Sequence, residues 1–535
     1  MFMLGCQVIP NLFAVVGLAL VVEVSLAGQA ALFSNPDGKL DSTEAHSGTA
    51  SSARSRSAEA MFMLDYQVIP VPGGKSIDLT GFHVFNELND WMYLGVGGHA
   101  PILAGEYGGF MAFDVTAHVQ RKIYGNLFAD AGLSLGGGGG GKSVQQSRIL
   151  SGTGRYVKSY VGFGHDFVDF SLGANLAHMK FTNSAINHSQ LNLFVQVPFS
   201  YVIGPYARSG DRLFSADHAG ALEISEDPAE NILTLGLDNL VQINPEGQHK
   251  NNINLVDMQF SHFMTKHSYW YFNAAAGYRG LPLYNQAIGG LGYRAGITPN
   301  IKLYGQLGIG SGGYAPETIN TGPGLLIYPR ISAEYSINKN FGVLFSAGYM
   351  FAPKGSSKNY TLGAALNYHI HSGDVGSGAS GAANHASYRG YRFNLFQQTE
   401  FNVKFRGADQ DKIKLLTIQF DNVVNDHIYI PVQVGAAYNT HLTYPGYGEI
   451  TAGVGVQNKY DKNERFQFFG QLLVGANVHG SILKTGVGTK YGVSDRLAIY
   501  GVAGQTFAGP GSNREKFRSE YVGLGVTYRF SVPSW

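Results

Sequence analysis

The strongest constraint on this chain is an alternation of period two. It runs from residue 61 almost to the end. In 521–530 one face carries Val522, Leu524, Val526, Tyr528 and Phe530; the other carries Tyr521, Gly523, Gly525, Thr527 and Arg529. Successive side chains of a strand point to opposite sides, so each such segment has an oily face and a small or polar face. The stretch 427–438 behaves alike: Ile428, Ile430, Val432, Val434, Ala436 and Tyr438 oppose Tyr429, Gln433, Gly435 and Ala437. In 341–349, Phe341, Val343, Phe345 and Tyr349 oppose Gly342, Ser346 and Gly348. No helical stripe of comparable length competes. A soluble sandwich would cover its outer face with charge, yet only 14% of residues are charged, against about a quarter in ordinary soluble proteins. Glycine contributes 72 residues. The pattern fits an all-β transmembrane antiparallel barrel with apolar side chains on acyl chains and polar ones inside. Closure pairs every backbone N–H and C=O where no water can. Aromatic residues at strand ends, such as Tyr528 and Phe530 or Tyr269, Trp270 and Tyr271, are expected at the membrane boundary.

The same arithmetic excludes other classes. A net charge of +1 gives no basis for phosphate-driven nucleic-acid binding, and one cysteine allows neither a disulfide scaffold nor a cysteine-rich metal site.

The pattern repeats three times. Ile123-Tyr124-Gly125-Asn126-Leu127 answers to Leu303-Tyr304-Gly305-Gln306-Leu307 and to Phe468-Phe469-Gly470-Gln471-Leu472. Met258-Gln259-Phe260 answers to Ile418-Gln419-Phe420, with Thr80-Gly81-Phe82 as a drifted counterpart. The expected barrel repeats are 61–203, 231–370 and 388–535, each of about eight strands. A polar linker, 204–230, and a Gly/Ser linker, 371–387, separate them. Fusion into one barrel of about 24 strands is the favoured expectation; three tandem eight-stranded barrels are the alternative.

Before the repeats, 1–31 reads as a signal-like segment, apolar over 11–31 but without a preceding Lys or Arg, and 32–60 as a disordered spacer. Met3-Leu4-Gly5-Cys6 precedes the apolar run and is therefore not a lipoprotein cleavage box. The pattern Met1-Phe2-Met3-Leu4 with Gln7-Val8-Ile9-Pro10 recurs as Met61-Phe62-Met63-Leu64 with Gln67-Val68-Ile69-Pro70, and has no physical account.

The segment Tyr521-Val-Gly-Leu-Gly-Val-Thr-Tyr-Arg-Phe530 resembles the last strand of Gram-negative outer-membrane β-barrel proteins, the class that includes porins. The resemblance implies location in the outer membrane, contact with its lipid, and recognition by the barrel-assembly machinery through Tyr521, Tyr528, Phe530 and the terminal Trp535. It implies no substrate.

Several motifs invite chemistry and are better explained without it. Gly136 to Ser143, GGGGGGKS, satisfies the P-loop pattern but lies among two-faced strands, and reads as a hairpin loop. His385-Ala386-Ser387 matches the His-x-Ser spacing of outer-membrane lipid hydrolases but sits in a linker, and His188-Ser189 has the wrong spacing. His369-Ile370-His371 places two rings on one face without a third ligand nearby, and Asp421, Asp426 and His427 read as a solvated turn. No catalytic residue, cofactor site or metal site is therefore expected. The expected function is a channel or export conduit for a solute or polymer. Asn126, Gln306, Gln433 and Arg529 would face the lumen, with Arg279 and Arg294 elsewhere in the wall. A poreless structural or adhesive barrel is the alternative, and a lipid hydrolase a distant second alternative.

Overall fold

The computed structural model describes residues 56–534 except 168, 210–211, 214–229, 372–385, 462–464 and 510–515. The signal-like segment, nearly all of the spacer, most of both linkers, His385 and Trp535 lie outside the described residues.

Three closed eight-stranded antiparallel barrels follow one another along the chain. In barrel I the first strand, Arg56–Ile69, pairs with the second, Ile77–Asn89, and with the eighth, Asn187–Ile203. Barrel II closes between Glu230–Gln242 and Lys358–His371. Barrel III closes between Ala386–Phe405 and Phe517–Ser534. The eight-strand units thus hold, while the favoured single large barrel gives way to the tandem alternative. The physical reason is edge satisfaction. Once the first and last strands of a unit pair, that unit has no open edge left to offer its neighbour.

The faces fall as the alternation demands. Along Arg155–Asp166 every second residue from Tyr156 to Gly164 is buried inside the barrel, while Val157, Val161 and Phe163 point out and are exposed. An eight-stranded barrel has room inside only for side chains.

The connections differ at the two ends. One end carries the long connections 101–110, 140–154, 314–324 and 438–447; the other carries short turns such as 90–91, 125–126 and 299–300. Long loops on one side and short turns on the other is the usual polarity of outer-membrane barrels.

The barrels pack against one another head to tail. The end of the fifth strand of barrel I (Leu127–Gly139) meets 437–446 of barrel III, where a Cβ on Gly137 would lie 2.7 Å from the Ala437 carbonyl oxygen. The fifth strand of barrel III (Phe466–Asn477) meets the third of barrel II (Ser268–Arg279). The fifth strand of barrel II (Ile301–Gly313) meets the loop after the third strand of barrel I: Ser311 Oγ donates to the Pro101 carbonyl at 2.7 Å, and Gly108 N donates to the Gly322 carbonyl at 3.1 Å. Each contact joins unlike surfaces, and three of them close a ring.

The first four strands of the units, with the eighth strands of barrels I and III, bury apolar residues toward this ring's interior. Phe82 of barrel I stacks on Phe272 of barrel II at 5.9 Å. Ala60, Val84 and Val96 of barrel I pack with Phe393, Tyr528 and Phe530 of barrel III. Met258 of barrel II packs with Ile450 and Ala452 of barrel III. The remaining wall turns outward, leaving Leu176 and Leu191, Ile331 and Phe345, and Val487 and Leu524 exposed on the three barrels.

Candidate functional site

Two places in this architecture carry chemistry: the filled barrel interiors and the long-loop face. Each interior is organised around a cation on its sixth strand. In barrel I, Lys158 Nζ donates to Asp65 Oδ2 at 2.9 Å. In barrel II, Arg330 donates to Gln306 at 2.9 Å and Gln259 at 2.6 Å and lies 3.5 Å from Asp238. In barrel III, Lys484 donates to Gln398 at 2.8 Å and pairs with Glu449. A buried charge is tolerated only when paired and hydrogen-bonded. The three groups therefore read as internal counter-ions that tie several strands together.

Further layers repeat the device. His369 bridges two carboxylates, at 2.7 Å to Glu230 and 2.5 Å to Glu334, and Glu230 also pairs with Arg294. In barrel III, Asp421 accepts from Arg392 at 2.9 Å, Gln419 at 2.7 Å, Asn394 at 3.1 Å and Lys490 at 3.4 Å. Tyr206, in the linker after barrel I, closes the short-turn end of barrel III. Its backbone N–H donates to Asp495 at 2.9 Å, and its ring is buried with Phe396, Tyr429 and Tyr500.

Of the proposed lumenal residues, Gln306, Gln433 and Arg529 are buried in barrel interiors. Gln306 bonds Arg330, Gln433 bonds Glu449 at 3.1 Å, and the Arg529 guanidinium lies over the Tyr460 ring at 4.6 Å. Asn126 departs from expectation: it sits with Gly125 in the exposed turn between the fourth and fifth strands. The repeat alignment had placed it level with Gln306, which lies within a strand. Arg279 is at an exposed strand end, and Arg294 is tied to Glu230. Asp421 is not part of a solvated turn; only Asp426 and His427 are.

The terminal-strand residues also separate. Tyr521 points inward, its hydroxyl donating to the Thr485 carbonyl at 3.1 Å. Tyr528 and Phe530 lie in the seam with barrel I, not at a lipid boundary. Tyr269 and Tyr271 point inward too. A different set forms an aromatic band at the short-turn end: Trp91, Tyr124, Phe167, Tyr293, Tyr335 and Phe341, all exposed. Position relative to the turns would have found these; local composition did not.

The glycine run is structural. Gly136–Gly139 belong to a strand, Gly138 N donates to the Gly154 carbonyl at 2.8 Å, and Lys142 faces Glu106 at 3.6 Å. The loop contains the helix Val144–Ser151, capped by Ser143, whose hydroxyl accepts from Gln146 N at 3.1 Å. One His–Ser contact exists on the outer wall, His178 Nδ1 to Ser189 Oγ at 2.9 Å across paired strands. That contact alone does not make a hydrolase, which also needs a positioned acid and oxyanion donors.

On the long-loop face, barrel III opens a recess of about 840 Å³ lined by Asn402, Lys404, Asp411, Lys412, Arg518 and Glu520. Nearby, His441 and His479 meet through their Nε2 atoms at 2.7 Å beneath Phe405 and Phe517. Burial pushes His441 down to about 4 and His479 down to about 3, the latter helped by His441 and Arg406.

No family model and no curated protein sequence matches the chain. Among solved structures, it is similar to a de novo designed transmembrane β-barrel (11% identity, 28% of this chain and 100% of that one, TM-score 0.19). It is similar to the siderophore receptor PirA of Pseudomonas aeruginosa (10% identity, 89% and 80%, TM-score 0.24). It is also similar to a bacterial polysaccharide outer membrane secretin (8% identity, 88% and 98%, TM-score 0.22). These superpositions are too loose to carry function. On its own geometry, with closed antiparallel barrels, apolar outer walls and an aromatic band, the architecture is that of an outer-membrane β-barrel protein.

Proposed function

We propose that this chain is a poreless outer-membrane protein: a single-chain ring of three barrels that anchors a continuous platform of long loops. The observation that carries this reading is the filling of each barrel. Arg392, Asp421 and Lys490 in barrel III, Arg330 and Gln259 in barrel II, and Lys158 and Asp65 in barrel I are all buried and bonded across the interior. Between the barrels, the ring's interior is lined by apolar contacts, including Phe82 on Phe272 and the cluster around Phe393 and Phe530. The loops that lock one barrel to the next stand on one side, beside the polar recess of barrel III. That side suits adhesion or scaffolding.

Planar-bilayer recording on the purified, lipid-reconstituted chain tests the reading. The expected result is silence at all voltages, with insertion verified by protease protection. Reproducible unitary currents would overturn it and favour a conduit for solute or polymer.

A further inference from the structure

Barrel I differs from its two companions in what surrounds its sixth-strand cation. Arg330 and Lys484 are met by glutamine amides and carboxylates. Lys158 is met by Asp65 and by His99, whose Nε2 lies 3.2 Å from the ammonium nitrogen. A second imidazole, His83, stands beside them: Asp65, His83 and His99 each offer one ligand atom, and these atoms lie within 4.8 Å of one another.

The two rings are held in place by a second carboxylate. Asp114 accepts from His83 Nε2 at 3.1 Å and lies 3.3 Å from His99 Nδ1. It is itself fixed by hydroxyl donors on Thr116, at 2.6 Å, and Tyr156. Each ring thus presents one nitrogen to Asp114, and His99 Nδ1 also meets the Tyr156 hydroxyl at 3.4 Å. The opposite nitrogens, His83 Nδ1 and His99 Nε2, are turned toward Asp65, each 3.9 Å from one of its carboxylate oxygens. This carboxylate-behind-histidine arrangement is how proteins orient imidazoles toward a metal. His83 Nδ1 is fully buried and has no hydrogen-bond partner. Space has been cleared for both groups: a Cβ on Gly81 would lie 2.5 Å from Asp65 Oδ1, and one on Gly97 would lie 2.2 Å from His83 Cδ2.

We propose that Asp65, His83 and His99 form a binding site for one divalent transition-metal ion of the zinc type. In a tetrahedral site with metal–nitrogen bonds of about 2.0 Å, neighbouring donor atoms stand roughly 3.3 Å apart. Asp65 Oδ2 stands 3.9 Å from His83 Nδ1 and Asp65 Oδ1 stands 3.9 Å from His99 Nε2, so the carboxylate and rings need to close only slightly on an ion to reach that value.

The test uses the full chain refolded into detergent micelles with Zn²⁺ or Co²⁺ present, because the site is enclosed once the barrel closes. Wild type is expected to retain one equivalent of metal after gel filtration, and Co²⁺ to show the intense visible bands of tetrahedral coordination. His83→Gln and His99→Gln, checked for folding by circular dichroism, are expected to lose the bound metal. His369→Gln in barrel II, removing a buried histidine outside this cluster, is expected to retain it. Wild type without stoichiometric metal, or metal retained by both histidine variants, would each overturn the proposal.

Discussion

The charge count inside barrel III makes a sharp prediction. Two buried cations, Arg392 and Lys490, share one buried anion, Asp421. Replacing Asp421 by Asn keeps the shape and one acceptor oxygen but leaves two cations without an anion. Removing one partner of a buried pair costs about 3–5 kcal/mol, which is roughly a 10²- to 10⁴-fold loss in the folding equilibrium. Arg392→Met acts differently. It forfeits charged hydrogen bonds to Asp421 and to the Gln457 amide oxygen, each on the order of 1.5–3 kcal/mol. Yet Lys490 still faces Asp421 at 3.4 Å, and a like-charge neighbour is gone. Its aliphatic replacement also keeps packing beside Tyr429, over which the guanidinium lies at 4.5 Å. The net loss for Arg392→Met should stay below about 3 kcal/mol, under that of Asp421→Asn. Reversible urea unfolding in lipid vesicles, followed by far-UV circular dichroism, compares the two. If Arg392→Met is as damaging as Asp421→Asn, hydrogen-bond geometry rather than charge balance governs the interior, and the reasoning fails.

Three further outcomes are expected. Leu524→Arg, on an outward position 69% exposed, should cost about 2–4 kcal/mol in vesicles; a neutral result would mean that this wall does not meet acyl chains. Gly137→Val forces a side chain against the Ala437 carbonyl, an overpacking cost of about 1–3 kcal/mol. Hydrogen exchange should speed up in 437–446 while the barrel I strands stay protected. His441 and His479 take up protons less readily folded than unfolded, since burial lowers both. Their contribution is intact above the ordinary histidine value near 6.5 and is lost as pH falls through about 4. Urea midpoints should therefore fall on acidification over that range, and His479→Phe should flatten the dependence. An unchanged slope would count against a neutral pair.

The alternation between Tyr521 and Phe530 already told which side chains face inward: Tyr521, Thr527 and Arg529 are buried in the barrel, as read. The same alternation could not tell what the outer face touches. Leu524 meets the surroundings, whereas Tyr528 and Phe530, on the same face, meet barrel I. Lipid and a neighbouring barrel both ask for an apolar surface, so a one-dimensional pattern cannot separate them. The interior site of barrel I was equally hidden. Asp65, His83, His99, Asp114 and Lys158 sit on five different strands, and only barrel closure brings them together.

Local chemistry thus determined strand, face and the eightfold grouping, because each depends on neighbours a few residues apart. Whether three units would merge into one wall or each seal on itself was decided by pairings such as Met63 with Gln196, 133 residues apart, and Leu395 with Val526. Both arrangements satisfy the same alternation. They differ in which distant strand supplies the last row of hydrogen bonds, and only the folded chain records that choice.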